Sequence, residues 1–155
     1  MKQLFELANF VRRLRTQMRF GKFSRAPLRL LRFRLEAETA ECDWLARPAD
    51  IWDETLPRHV REQNASMQAL HDAIAIREML FGLLPEIRRA ETRTFRQSIR
   101  EPPRLVIAGT LTRQEPEVTK VTSPVMRAKL YGFHFWLDDG VLVTLQPDDR
   151  AVSNF

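Results

Sequence analysis

Hydrophobic residues recur with a helical spacing at the start of the chain. Between residues 3 and 20 they stand three or four positions apart, at Leu4, Leu7, Val11, Leu14 and Met18. This spacing places them on one face of an α-helix. Gly21 favours a left-handed helix end, and Pro27 cannot continue a helix. We therefore expect an amphipathic helix within residues 1–25.

A period of two replaces the helical period after residue 28 and predicts a strand. Alternate positions on one side are apolar, at Leu31, Phe33, Leu35 and Ala37. A second strand over residues 40–46 has the same alternation and would pair with the first through a turn at 37–39. That turn contains no glycine, so a helix from Leu35 to Leu45 is the alternative interpretation.

The longest hydrophobic region predicts a helix from about residue 59 to 84, closed by Pro85. It is apolar around almost its whole circumference, which is typical of a helix in the middle of a fold. A single stripe of small or polar side chains interrupts the apolar surface, at His71, Ala75, Glu78 and Gly82. This stripe would face water or allow another element to approach closely.

The last third of the chain predicts two further hairpins and a short helix. Strands over residues 90–99 and 105–112 are joined by a turn with two prolines. Ser123 and Pro124 form a cap and a favoured first helical residue, and Gly132 ends that helix. Asp139-Gly140 is a strong signal for a two-residue hairpin turn.

The order of these elements is helix, strand, strand, repeated three times, which indicates an α+β fold. We expect an antiparallel sheet built from about three hairpins, with the helices packed on one face. At 155 residues, the chain has the length of a single domain. We assign residues 1–155 to that domain, with a flexible tail at 147–155.

The charge of the chain is concentrated near its start. The formal net charge is +5, and residues 1–35 contain ten of the 25 lysines and arginines but one of the 20 acidic residues. This concentration predicts a basic face on the N-terminal helix. The residues that would contact a polyanion are Arg12, Arg13, Arg15, Arg19 and Lys22.

The basic amphipathic helix has four interpretations. Its apolar stripe could bind a protein partner or a second copy, it could lie on an anionic membrane surface, or it could cover the chain's own sheet. Its arginines could instead bind the phosphates of a nucleic acid. We expect a non-enzymatic interaction or assembly protein whose stripe of Leu4, Leu7, Val11, Leu14 and Met18 contacts the partner, with nucleic-acid binding as the alternative.

The sequence contains no recognisable catalytic or metal-binding motif, so we predict no catalytic residue, no metal and no cofactor. The single cysteine, Cys42, has no base beside it in the sequence and is expected to be a small buried side chain. His71 and Glu78 lie two helical turns apart on one stripe. A small ligand-binding domain or enzyme with a cleft near these two residues is therefore a further alternative.

Hydrophobic segments give no indication of a membrane span or a secretory signal. The most apolar stretch, residues 73–84, is interrupted by Arg77 and Glu78, and it is too short to cross a bilayer. Near the start, Glu6 and Asn9 interrupt the apolar residues, and the arginines follow that segment instead of preceding it. We expect a cytoplasmic protein.

Overall fold

A computed structural model describes residues 2–18, 21–48, 55–97, 99–114 and 121–145. Within these ranges it contains three helices and seven strands. The helices are α1 (Lys2–Gln17), α2 (Arg58–Leu83) and α3 (Pro124–Tyr131). The strands are β1 (Arg29–Glu36), β2 (Thr39–Leu45), β3 (Arg89–Arg96), β4 (Arg104–Thr112), β5 (Phe133–His134), β6 (Leu137–Asp138) and β7 (Val141–Leu142).

Five strands form one mixed sheet in the order β1-β2-β3-β4-β5, and β6 and β7 form a separate two-stranded sheet. The pairs β1/β2, β3/β4 and β4/β5 are antiparallel, whereas β2 and β3 are parallel. The expectation of antiparallel pairing throughout is therefore wrong for the central pair. The 26-residue helix α2 connects β2 to β3, and a crossover of this length returns the chain to the end of the sheet where β2 began.

All three helices share one core with the same face of the sheet, which confirms the α+β class. Phe10 of α1, Leu70 of α2 and Ala128 of α3 are fully buried in one cluster with sheet residues such as Trp44. The opposite face carries charged side chains, among them Arg32, Arg34, Glu41 and Arg93, whose positions alternate with those of the core residues. One face of the sheet is thus covered by helices and the other is polar.

A β-bulge changes which leucine of β1 faces the core. The register with β2 shifts between Leu30 and Arg32, so Leu31 is left out of the regular pairing. Leu31 is 47% exposed, while Leu30 packs against the core cluster. The alternation in the sequence had placed Leu31 on the core face, and the inserted residue explains the difference.

The predicted hairpin turns at Ala37 and at Asp139-Gly140 are both confirmed. Ala37 has a φ of 53°, and Asp139 and Gly140 have φ values of 49° and 79°. The third hairpin is shorter than expected, because β5 pairs with β4 and only β6 and β7 flank the Asp139-Gly140 turn. The predicted tail at 147–155 lies outside the described residues.

A buried polar cluster fixes the segment that joins α1 to β1. The backbone N–H of Phe23 donates to Gln68 Oε1 of α2 at 2.5 Å, and Gln68 in turn donates to Asp72 Oδ1 at 2.8 Å. Asp72 also accepts two hydrogen bonds from Arg47, at 2.9 and 3.1 Å. Since Gln68, Asp72 and Arg47 are at most 2% exposed, the start of this segment is held against the body of the protein.

Candidate interaction surface on the N-terminal helix

The second half of α1 is anchored in the chain's own core. Phe10 and Leu14, together with Met18 directly after the helix, are 0%, 2% and 6% exposed. The ring of Phe10 stacks on that of Phe33 in β1, with centroids 4.4 Å apart and an interplanar angle of 7°. This part of the helix contributes to the stability of the fold, because burying large apolar side chains is the main favourable contribution to folding.

Leu14 and Met18, which were predicted to contact a partner, lie in the chain's own core in this structure. The same spacing of three and four residues that suits a partner helix also suits a helix lying on its own sheet. In the structure, the stripe faces α2 and β1 of the same chain. Leu7 and Val11, nearer the start of the stripe, are half-buried.

The first turn of α1 has a different environment. Leu4 is 71% exposed and Phe5 is 74% exposed. We call these two residues the apolar tip. Large apolar side chains in contact with water favour association with a second surface. Phe5 was not among the predicted partner-binding residues because it lies beside the stripe and not on it, although its direct neighbour Leu4 was a signal in the sequence.

The predicted basic residues of α1 are on the surface. Arg12, Arg13 and Arg15 are exposed, and Arg12 Nη2 donates to Asn9 Oδ1 at 2.9 Å. Lys22 is also exposed and places its Nζ 5.6 Å from the ring centroid of Phe23. Arg19 lies outside the described residues.

Arginines on the polar face of the sheet are paired with acids. Arg32 lies 3.2 Å from Glu41, and Arg93 lies 2.5 Å from Asp43. The hydrogen bond to Asp43 raises the pKa of Arg93, although partial burial opposes it. These ion pairs neutralise part of the positive charge on this face of the sheet, whereas Arg12, Arg13 and Arg15 lie exposed on α1.

The predicted pair His71 and Glu78 lies outside the fully buried part of α2. The half-buried imidazole of His71 has its ring centroid 5.8 Å from that of Phe23. Burial lowers the pKa of His71, and the positive charges of Lys22 and Arg127 lower it further. Glu78 is exposed and its Oε1 lies 4.0 Å from Arg127 Nη2. Each member of the pair thus has other side chains as neighbours.

Cys42 and Asp139, two other side chains that could take part in chemistry, are each explained by their place in the fold. Cys42 is fully buried on the core face of β2, and burial, aided by the charge of Asp43, raises the pKa of its thiol. Asp139 forms its turn and lies 2.8 Å from His59 Nε2. Among the described residues, no group of three or more His, Cys, Asp and Glu side chains is placed to hold a metal ion, and no helix has the length and apolar character of a membrane span.

Comparisons with protein-family models, with curated proteins and with solved structures found no match to this chain. The geometry of its surface is therefore the basis for a functional hypothesis.

Proposed function

We propose that this protein is an assembly protein that self-associates through the apolar tip of α1. The observation that carries the proposal is the contrast within one helix. Phe10 and Leu14 fix α1 to the core, while Leu4 and Phe5 on the same helix are 71% and 74% exposed. A helix that is anchored at one end presents its other end in a defined position, which reduces the entropy lost on binding.

A second copy of the chain is a suitable occupant for this surface. Two tips that cross about a twofold axis bury the same residues from both molecules, as in most homodimers. Arg12 lies seven positions beyond Phe5, or about 10 Å along the helix axis. The arginines of two antiparallel tips would therefore be about 20 Å apart, where physiological salt screens most of their repulsion.

The small size of the tip predicts weak association. Fully burying a Leu or Phe side chain stabilises a complex by about 1.5–3 kcal/mol, so four such side chains give roughly 6–12 kcal/mol. The loss of translational and rotational freedom costs an estimated 4–15 kcal/mol. Because the favourable and unfavourable free energies are similar in size, association should be weak. The average molecular mass should therefore depend on protein concentration.

The test is the molecular mass of the purified protein, measured by light scattering over a concentration series at low and high salt. We expect a mass that rises above the monomer with concentration and that high salt does not reduce, because the contact is apolar. The double variant Leu4→Ser/Phe5→Ser should remain monomeric. The control Met126→Ser/Leu130→Ser removes two apolar residues of α3 that are 50% and 44% exposed, and it should associate like the wild type. A wild type that is monomeric at every concentration would contradict the proposal.

The exposed arginines of α1 support a second candidate function, binding to nucleic acid. Arg12, Arg13 and Arg15 are exposed in one helix, where they could neutralise phosphates. We expect retention on a polyanion column that is lost in the triple variant Arg12→Gln/Arg13→Gln/Arg15→Gln and at high salt. The control Arg32→Gln/Arg34→Gln changes arginines that already pair with Glu41 and Glu36. Equal loss of retention in the control and the triple variant would count against a specific role for α1.

A further inference from the structure

The outer edge of β1 is open within the part of the chain that the structure describes. There, β1 pairs with β2 on one side and is the first strand of the five-stranded sheet. Two of its core-facing side chains, Phe33 and Leu35, are only half-buried. An edge strand presents unpaired backbone N–H and C=O groups, which can pair with a strand of another molecule.

The turn after β1 indicates which residues carry these free backbone groups. Glu36 and Thr39 are partners on either side of a two-residue turn, where the flanking residues exchange both backbone hydrogen bonds. The direction of the backbone groups alternates along a strand, so Arg34 also points its N–H and C=O towards β2. The N–H and C=O groups of Phe33 and Leu35 therefore point away from the sheet.

The β-bulge limits the length of this open edge. The register of β1 with β2 is regular from Arg32 to Glu36, after the shift between Leu30 and Arg32. A second strand can therefore pair with a stretch of five residues. So short a contact forms a stable complex only together with another contact nearby, because a two-stranded pair is marginally stable by itself in water.

The apolar tip is near enough to the edge of β1 to belong to the same interface. The ring of Phe10 stacks on that of Phe33, with centroids 4.4 Å apart. Phe5 is five positions before Phe10, or about 7.5 Å along the helix axis. Two copies that join along β1 would thus have both α1 helices on the same side of the joined sheets, where the tips could meet.

The charges of β1 match those of a second, antiparallel copy. Arg34 and Glu36 are 52% and 69% exposed, and Arg34 Nη2 lies 2.8 Å from Glu36 Oε2 of the same chain. If a twofold axis passes through the Leu35 pair, Arg34 of each copy is directly opposite Glu36 of the other. If the axis passes one residue earlier, Arg34 is opposite Arg34. Facing opposite charges stabilise a strand pair and facing like charges destabilise it, which favours the axis at Leu35.

We infer that β1 pairs with β1 of a second copy, antiparallel and with Leu35 at the twofold axis. This inference rests on the proposed self-association and adds a backbone-paired part to the contact between the tips. Two five-stranded sheets become one sheet of ten strands, and the assembly closes as a dimer. Arg34 and Glu36 already pair within each chain, so their charges select the register and make the association little dependent on salt.

The test reverses one charge at a time and measures the molecular mass by light scattering over a concentration series. Arg34→Glu brings two acids face to face at both symmetric contacts, and Glu36→Arg brings two arginines face to face. Each single variant should raise the Kd of self-association about tenfold or more. The double variant Arg34→Glu/Glu36→Arg should associate like the wild type, because opposite charges face each other again.

A mixture of the two single variants gives the sharpest result. One chain carries two acids and the other carries two arginines, so only the mixed pair has opposite charges at both contacts. The mixture should associate at concentrations where each variant alone is monomeric. The matched controls are Arg89→Glu and Glu91→Arg, which change an ion pair of the same kind, 2.8 Å apart, in a strand with neighbours on both sides. They should associate like the wild type.

Hydrogen exchange locates the contact on the backbone. The amides of Phe33 and Leu35 should exchange more slowly at high protein concentration, whereas that of Arg34 should be protected at every concentration. Wild-type association by Arg34→Glu, or a mixture that associates no more than its components, would overturn the pairing of β1 and leave the contact between the tips intact. Exchange at Leu35 that is independent of concentration in an associating wild type would also overturn it. A wild type that is always monomeric would overturn both proposals.

Discussion

The guanidinium of Arg47 and the carboxylate of Asp72 form a bidentate ion pair in the interior of the protein. Nε lies 2.9 Å from Oδ2 and Nη2 lies 3.1 Å from Oδ1, and the two side chains are 1% and 2% exposed. The pair connects the end of β2 to α2. Arg47 Nη1 also donates to the carbonyl oxygen of Ala26 at 3.4 Å. This contact connects the ion pair to the segment before β1.

We expect Arg47→Met to lower the free energy of unfolding by about 3–5 kcal/mol, because it leaves a buried carboxylate without its cation. Urea denaturation measures this change. The double variant Arg47→Met/Asp72→Leu removes both charges and should recover most of the loss. If the free energy of unfolding of Arg47→Met lay within about 0.5 kcal/mol of the wild-type value, the ion pair would make no net contribution to stability.

Asp72 also predicts a pH dependence of stability. Burial is the main cause that raises the pKa of Asp72 from 3.8 to about 6 in the folded protein, although Arg47 and Gln68 oppose it. Between these two values the folded protein binds more protons at this site than the unfolded chain does. The contribution of Asp72 to stability therefore falls as the pH rises from about 4 to 6.

Asp72→Asn provides the comparison, because asparagine does not titrate. The free energy of unfolding of the variant relative to the wild type should increase by about 2–3 kcal/mol between pH 4 and pH 7, as expected for a difference of about two pKa units. A constant difference over this range would mean that the folded and unfolded states share one pKa for Asp72.

Replacing Ala37 with glycine should stabilise the β1/β2 hairpin. Ala37 adopts a φ of 53°, which is unfavourable for a residue with a Cβ atom. We expect Ala37→Gly to raise the free energy of unfolding by about 0.5–1 kcal/mol, after the greater flexibility of glycine in the unfolded chain is included. Glu38→Gly is the control at the next position, where φ is not positive, and it should lower stability.

Arg113 should be required to close the end of α2. It donates to the carbonyl oxygens of Phe81, Leu84 and Ile87 at distances of 2.8–3.0 Å. Phe81 belongs to the last turn of α2, where carbonyls have no partner within the helix, while Leu84 and Ile87 follow the helix. Arg113→Lys keeps the charge but loses the planar set of donors, so we expect a loss of about 1–2 kcal/mol in thermal or urea unfolding. Arg104→Lys, which changes an exposed arginine paired with Glu101, should have little effect.

Features of the fold that depend on local sequence were predictable. Ser123 accepts a hydrogen bond from the N–H of Met126, and Gly132 ends α3 with a φ of 104°, as their positions in the sequence indicated. The Asp139-Gly140 turn is a further example. In each case the residues that determine the structure are at most a few positions apart, so their pattern can be read directly.

Contacts between distant segments were not predictable from spacing. Arg47 and Asp72 are 25 residues apart, and no repeating pattern relates them. The contact between the rings of Phe23 and His71 likewise depends on the relative positions of two separate segments. The stripe on α1 was recognised, but Leu14 and Met18 would show the same spacing against a partner or against their own sheet. Only the tertiary structure distinguishes these two cases.

The parallel alignment of β2 with β3 determines how the chain can reach its native state. Asp43 and Arg93 are paired in this register although they are 50 residues apart, whereas the β1/β2 hairpin closes through the short turn at Ala37. Closing a long loop costs more conformational entropy than closing a tight turn. We therefore expect the β1/β2 and β3/β4 hairpins to form early. The slower step that limits refolding should be the docking of α2 together with the pairing of β2 and β3.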